Sequence, residues 1–159
     1  IEPRRGAYLR TFTTKDIADL YDYREALETH AVLTTKITAA LIDDLSKSVA
    51  SLQERHRIGQ KTGYIRQDID FHTRIAAGTD NRRLVDALEN LRDQLHIFRL
   101  KTYNRNKGHG VHAHARLVEL LQARDRTGAV NLMREHIRTA RDELIAHVSQ
   151  VAKETARRK

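Results

Sequence analysis

Cysteine is absent from all 159 residues. That excludes disulfides, thiolate metal sites and cysteine nucleophiles. Proline occurs once and glycine seven times. So few breakers in so long a chain predict an almost wholly helical protein. The aromatics are five tyrosines and three phenylalanines, and none is interleaved with basic residues as a base-stacking surface would require. No apolar run approaches the length of a membrane span, and no signal peptide is visible. The sequence also lacks Gly-x-Ser-x-Gly, a glycine-rich phosphate loop and His-Glu-x-x-His. Internal repeats, low-complexity tracts and sustained heptads are missing too, which argues against a long coiled coil.

What is present suits one domain with a real core: 40% of residues are hydrophobic and 31% charged. The formal net charge is +8. A solvated surface explains such a charge, as does attraction for nucleic acid or small carboxylates. The basic residues are scattered until Arg157-Arg158-Lys159, so charge alone does not make a nucleic-acid binder. Absence of cysteine is compatible with a reducing cytoplasm. The chain opens on Ile1 rather than Met, and is expected to have been cut from a longer one.

Residues 1–13, with Pro3 and Gly6, read as a strand or linker entering the domain. Six amphipathic helices follow. The first is expected over Lys15–Lys36, capped by Thr14, with Ile17, Leu20, Leu27 and Ala31 inward. The second runs Ala39–Arg57 behind Thr38. A connector at 58–63 precedes a third, which carries Ile65, Ile69, Ile75 and Ala76 and stops at Gly78. Asp80 is the expected cap of the fourth, Asn81–Arg105, whose seam is Leu84, Leu88, Leu91, Leu95 and Phe98. After a loop at 104–110 comes the fifth, Val111–Ala123. Asp125 then caps the sixth, which extends to Thr155.

The polar residues on the apolar faces carry the chemistry. Asp68 and His72 are one turn apart inside the arc of the third helix. His114 falls on the inner face of the fifth, and His136 beside the stripe of the sixth. Burying an acid or an imidazole alone is costly. We therefore expect Asp68, His72, His114 and His136 to share a divalent ion. A neutral imidazole and carboxylate set suits zinc, nickel, manganese or iron. Four protein ligands on an ion that accepts five or six leave room for water or a carboxylate. His147 has a bearing similar to His136 and competes for its place. Arg24 lies on the stripe of the first helix and cannot shed its charge, so it needs a carboxylate or phosphate partner. Asn81 and Arg99 border the seam of the fourth.

These residues resemble the FCD ligand-binding domain of the FadR subfamily of GntR transcription regulators. Arg24-Glu25-Ala26-Leu27-Glu28 is similar to that family's R-x-x-L-E helix, and Asp68-Ile69-Asp70-Phe71-His72 to its D-x-x-F/L-H motif, with Gly78 to Leu84 following. His114 through His136 resembles its C-terminal half. The resemblance implies an all-α antiparallel bundle of six or seven helices around a central metal and ligand cavity, spanning residues 14–155. It further implies an ion, often zinc, held by Asp68, His72, His114 and His136, and a small carboxylate effector contacted by Arg24, with Asn81 and Arg99 as weaker contacts. It implies a cytoplasmic homodimer that senses rather than catalyses. Operator DNA would be met only through an N-terminal domain outside this chain, because Arg4 to Leu9 resembles just the end of a winged-helix wing. The competing expectations are a metal-dependent hydrolytic or redox enzyme and a purely structural helical dimerisation module.

Overall fold

The computed structural model describes residues 12–104 and 109–157. Residues 1–11 of the linker expected over 1–13, with its wing remnant, and the centre of the loop at 105–108, lie outside the described residues. Among the described residues all regular structure is α-helical: α1 Thr14–Thr34, α2 Ala39–Arg57, α3 Lys61–Ala77, α4 Arg82–Thr102, α5 His109–Gln122 and α6 Arg126–Arg157.

The helix ends follow local chemistry with two departures from expectation. Thr13, not Thr14, caps α1: its hydroxyl accepts from the Asp16 backbone N–H at 3.1 Å, and the Asp16 carboxylate accepts from the Thr13 N–H at 2.9 Å, a reciprocal capping box. Asn81, not Asp80, caps α4, with its side-chain oxygen accepting from the Leu84 N–H at 3.2 Å. Asp80 instead takes a left-handed backbone (φ 56°) and pairs with Lys36. Thr38 caps α2 and Asp125 the start of α6, both as expected. Gly78 ends α3 for a packing reason: a Cβ there would collide with the Thr35 hydroxyl, and its carbonyl accepts from the Lys36 N–H at 2.8 Å.

The topology follows from short connections. α1 packs most extensively on the long α6, α2 lies on α3 and α5, α3 on α4, and α5 on α6. One apolar cluster runs through all six helices, from Ile17 and Tyr21 through Leu45, Phe71, Leu88 and Phe98 to Leu121, Ile137 and Leu144. Arg126, at the start of α6, clamps the end of α1. Its guanidinium donates to the carbonyls of Val32, Leu33 and Thr35 at 3.0, 2.8 and 2.8 Å, satisfying acceptors that the helix itself leaves open.

α1 departs from a simple amphipathic helix. Its buried face is Ile17, Tyr21, Arg24, Glu28, Ala31 and Val32, while Leu20 and Leu27 are only partly buried. An arginine and a glutamate occupy the middle of the inward stripe, so apolar periodicity alone misplaces that face by a fraction of a turn.

Candidate metal centre

Five helices send polar side chains to one buried point. α3 supplies Asp68 and His72, and its 3.6-residue repeat stacks them on one side. α5 supplies His114, whose ring leans on Phe71 with centroids 4.4 Å apart. α6 supplies His136, α4 Arg99, and α1 Arg24 and Glu28. Asp68, His72, His114, Arg24, Glu28 and Arg99 are all buried; His136 is half-buried, with its Nε2 shielded from solvent.

The three imidazoles converge. One ring nitrogen from each of His72, His114 and His136 lies within 4.8 Å of the other two. The Nε2 atoms of His72 and His114 are 3.1 Å apart. Ligand atoms about 2.0–2.1 Å from a shared ion stand roughly 3 Å apart at neighbouring coordination positions, so this spacing fits a common ion. His136 Nε2 has no hydrogen-bond partner, which is what an available lone pair requires.

Asp68 sits at the edge of this trio. Its Oδ1 is 3.6 Å from His114 Nε2, while its Oδ2 is drawn into contact with the Arg99 guanidinium. The carboxylate therefore faces both the imidazoles and the arginine. His147 is not in the group. It lies eleven residues along α6 from His136, about 16 Å at the helical rise of 1.5 Å per residue.

Glu28 organises the other side. Its Oε1 accepts from Arg24 Nε at 2.5 Å, and its Oε2 touches His72 Nδ1, though not aligned as a hydrogen bond. A carboxylate beside Nδ1 favours the proton there and leaves Nε2 to face the centre, the second-shell pattern of metal-binding histidines. The sequence signal for Glu28 was available, since it stands one turn after Arg24. Its nearness in sequence to Glu25, which pairs on the surface seam with α6, makes an ordinary structural acid the simpler reading of the sequence.

Electrostatics keep the imidazoles uncharged. Burial pushes His114 down to about 4, against the opposing pull of Asp68. Burial and then Arg24 hold His72 well below its usual range, and burial with the neighbouring His114 and His72 does the same for His136. Burial alone would raise Asp68; Arg99, helped by His114, His72 and Arg24, outweighs it and holds the carboxyl below its ordinary value. Neutral nitrogens beside an ionised carboxylate are the protonation states a divalent cation needs.

Beside this cluster, Arg24, Glu28, His72, Thr73, Leu88, Leu95 and Arg99 enclose a cavity of about 10 Å³, room for roughly one water. A larger cavity of about 250 Å³ opens on the other side of His136, between α5 and α6. Asn81, expected near the ligand, is exposed and its side chain is committed to capping α4. The structure does not bring it to the cluster, because the α4 cap lies more than four turns before Arg99.

The family model of the FCD domain matches residues 19–139. The chain belongs to the FCD domain family. A solved structure shares the fold. A crystal structure from Rhodococcus sp. RHA1, described as a candidate transcriptional regulator GntR, superposes with a TM-score of 0.78 at 22% identity, over 91% of this chain and 71% of that one. No curated protein matches significantly. The matched FCD region contains Arg24, Asp68, His72, Asn81, Arg99, His114 and His136.

Proposed function

We propose that this FCD domain is the effector-sensing and dimerisation part, residues 14–155, of a GntR-class transcription regulator of the FadR subfamily. It binds a divalent ion, zinc foremost, through His72, His114 and His136, with Asp68 as the oxygen donor. A small carboxylate then docks against the ion, Arg24 and Arg99. The observation that carries this reading is the convergence of three neutral imidazoles from α3, α5 and α6, one with an orphaned buried nitrogen, beside an ionised aspartate. The likeness in fold to the Rhodococcus protein, described as a transcriptional regulator, supports the regulatory part of this reading.

A carboxylate does not fit the cavity beside the arginines as it stands, so binding must shift the walls formed by α1, α3 and α4. That supplies a route from ligand to assembly. In a homodimer, moving these helices changes the placement of DNA-binding domains carried outside this chain. Couplings of this kind amount to about 1–3 kcal/mol. Ile97 and Leu100 leave apolar surface exposed on α4, available to a second copy. A regulator of transcription works in the cytoplasm, and no helix among the described residues is long and apolar enough to cross a membrane.

The test is metal analysis of unchelated protein alongside H114A and H136A variants, followed by thermal-shift measurements with small carboxylates with and without zinc. Bound zinc in the parent chain, lost in both variants, and a carboxylate that stabilises without being consumed are the expected results. Equal metal content in all three proteins overturns the ligand set. Turnover of a carboxylate favours an enzyme, and no response to metal or carboxylate leaves a structural dimerisation module.

A further inference from the structure

Arg24, Glu28, Asp68 and Arg99 are 0, 2, 0 and 8% exposed, and they are the buried arginines and carboxylates among the described residues. Two positive and two negative groups, with the three imidazoles neutral, leave the centre with no net charge of its own. A divalent ion would bring two positive charges into it. Asp68 cannot offset them alone, since its carboxylate is already shared with Arg99. Charge left unbalanced in a buried site is expensive.

The donors for a compensating anion are in place. Arg24 Nη1, Arg99 Nε and Arg99 Nη2 are buried without a hydrogen-bond partner. Nε and Nη2 form one edge of a guanidinium, the edge that receives a carboxylate through two parallel hydrogen bonds. Asp68 takes the opposite Nη1 and so leaves that edge open. Both arginines line the same small cavity, next to His72.

We propose that the metal ion and a divalent anion occupy this centre as a neutral pair, so that the domain selects small dicarboxylates over monocarboxylates and binds them only together with the ion. This rests on the sensing reading above and adds the valence of the effector. A monocarboxylate would leave one positive charge buried, and a dicarboxylate without the ion would bury two negative ones. The small cavity favours the shortest dicarboxylates.

The experiment is calorimetric titration of the 159-residue chain at neutral pH with malonate and with propionate. The chain is either stripped with chelator or zinc-loaded and dialysed free of excess ion. Malonate should bind the zinc-loaded chain at least about tenfold more tightly than propionate does, and should lose roughly a hundredfold without zinc, a coupling within the usual range. The charge count also predicts reversals. R99Q removes one positive charge, so the zinc-loaded variant should now prefer propionate. D68N removes one negative charge, so the metal-free variant should acquire propionate binding that the parent chain lacks.

If the parent chain binds no zinc, the sensing reading fails and the valence argument with it. If it binds zinc and both anions with equal affinity, or if R99Q weakens malonate and propionate alike while D68N acquires no metal-free binding, the neutral-pair proposal alone is overturned. Circular dichroism checks folding; should R99Q fail to fold, the D68N measurement decides.

Discussion

Glu25 and Glu28 are one turn apart on α1, and both pair with arginines. Glu25 looks outward. Its oxygens accept from Arg138 Nε and Nη2 at 2.8 and 2.9 Å, with Arg134 nearby at 3.3 Å, and Arg141 reaches Asp22 at 3.3 Å further along the same α1–α6 seam. Glu28 looks inward, where it holds Arg24 and touches His72 without access to water. The outer set is the better aligned and the more numerous, yet its members trade water for each other at little gain. The inner set has no water to fall back on, so each member is needed to hold the charge of the next. Alignment and number are thus poor guides to what an ion pair does; solvent access decides.

Breaking the inner pair gives the largest expected effect. R24A leaves Glu28 buried without its cation, and unfolding in urea should show a loss of about 3–5 kcal/mol. Equal stability to the parent would mean that Glu28 is solvated after all, and the contrast between the two acids would collapse.

Acid sharpens the same contrast. His114 has a folded pKa near 4, below its ordinary 6.5. The unfolded chain therefore binds the proton first as pH falls. The neutral imidazole contributes stability that is complete above about 6.5 and is lost as pH drops toward about 4, at most roughly 3 kcal/mol at 1.36 kcal/mol per unit. His72 and His136 add slopes of the same sign, so the His114 part is the difference between the chelator-stripped parent and H114Q unfolded across that interval, with the shallower slope expected for H114Q.

The Arg126 clamp is intermediate, being half-buried with three carbonyl partners. R126A should cost about 1–3 kcal/mol, as lost charged hydrogen bonds do. Hydrogen exchange should locate the loosening at the end of α1. Smallest of all is R138A, since Glu25 keeps Arg134 and solvent. Its unfolding midpoint should match that of the parent, and a clear drop would show that the seam is a stabilising network.

The helices were largely legible from residue pattern. Apolar residues at helical spacing, caps at Thr38 and Asp125 and the stop at Gly78 placed α2 to α6 to within a few residues. Asp68 and His72 were legible because a one-turn spacing on a single helix is a local fact. His114 and His136 were legible only as faces; that their nitrogens meet is a property of how α5 and α6 lean on α3. Arg24 is visible as a charge on an apolar stripe, but periodicity places that stripe through Leu20 and Leu27, because hydropathy does not rank a buried glutamate as inward. Asn81 misled for a related reason: a residue's place in a motif does not say whether its side chain is already used as a cap.

The FCD sequence by itself determined the helical class, the helix ends to within a few residues and, Glu28 apart, the polar groups that turn inward, because periodicity and capping act over one or two turns. Only the tertiary structure decided which inward charges meet: Arg99 with Asp68, Glu28 with His72, and the three imidazoles with one another. Those pairings join residues 22 to 64 positions apart, and at that range the packing angles between helices, not local spacing, set the distance.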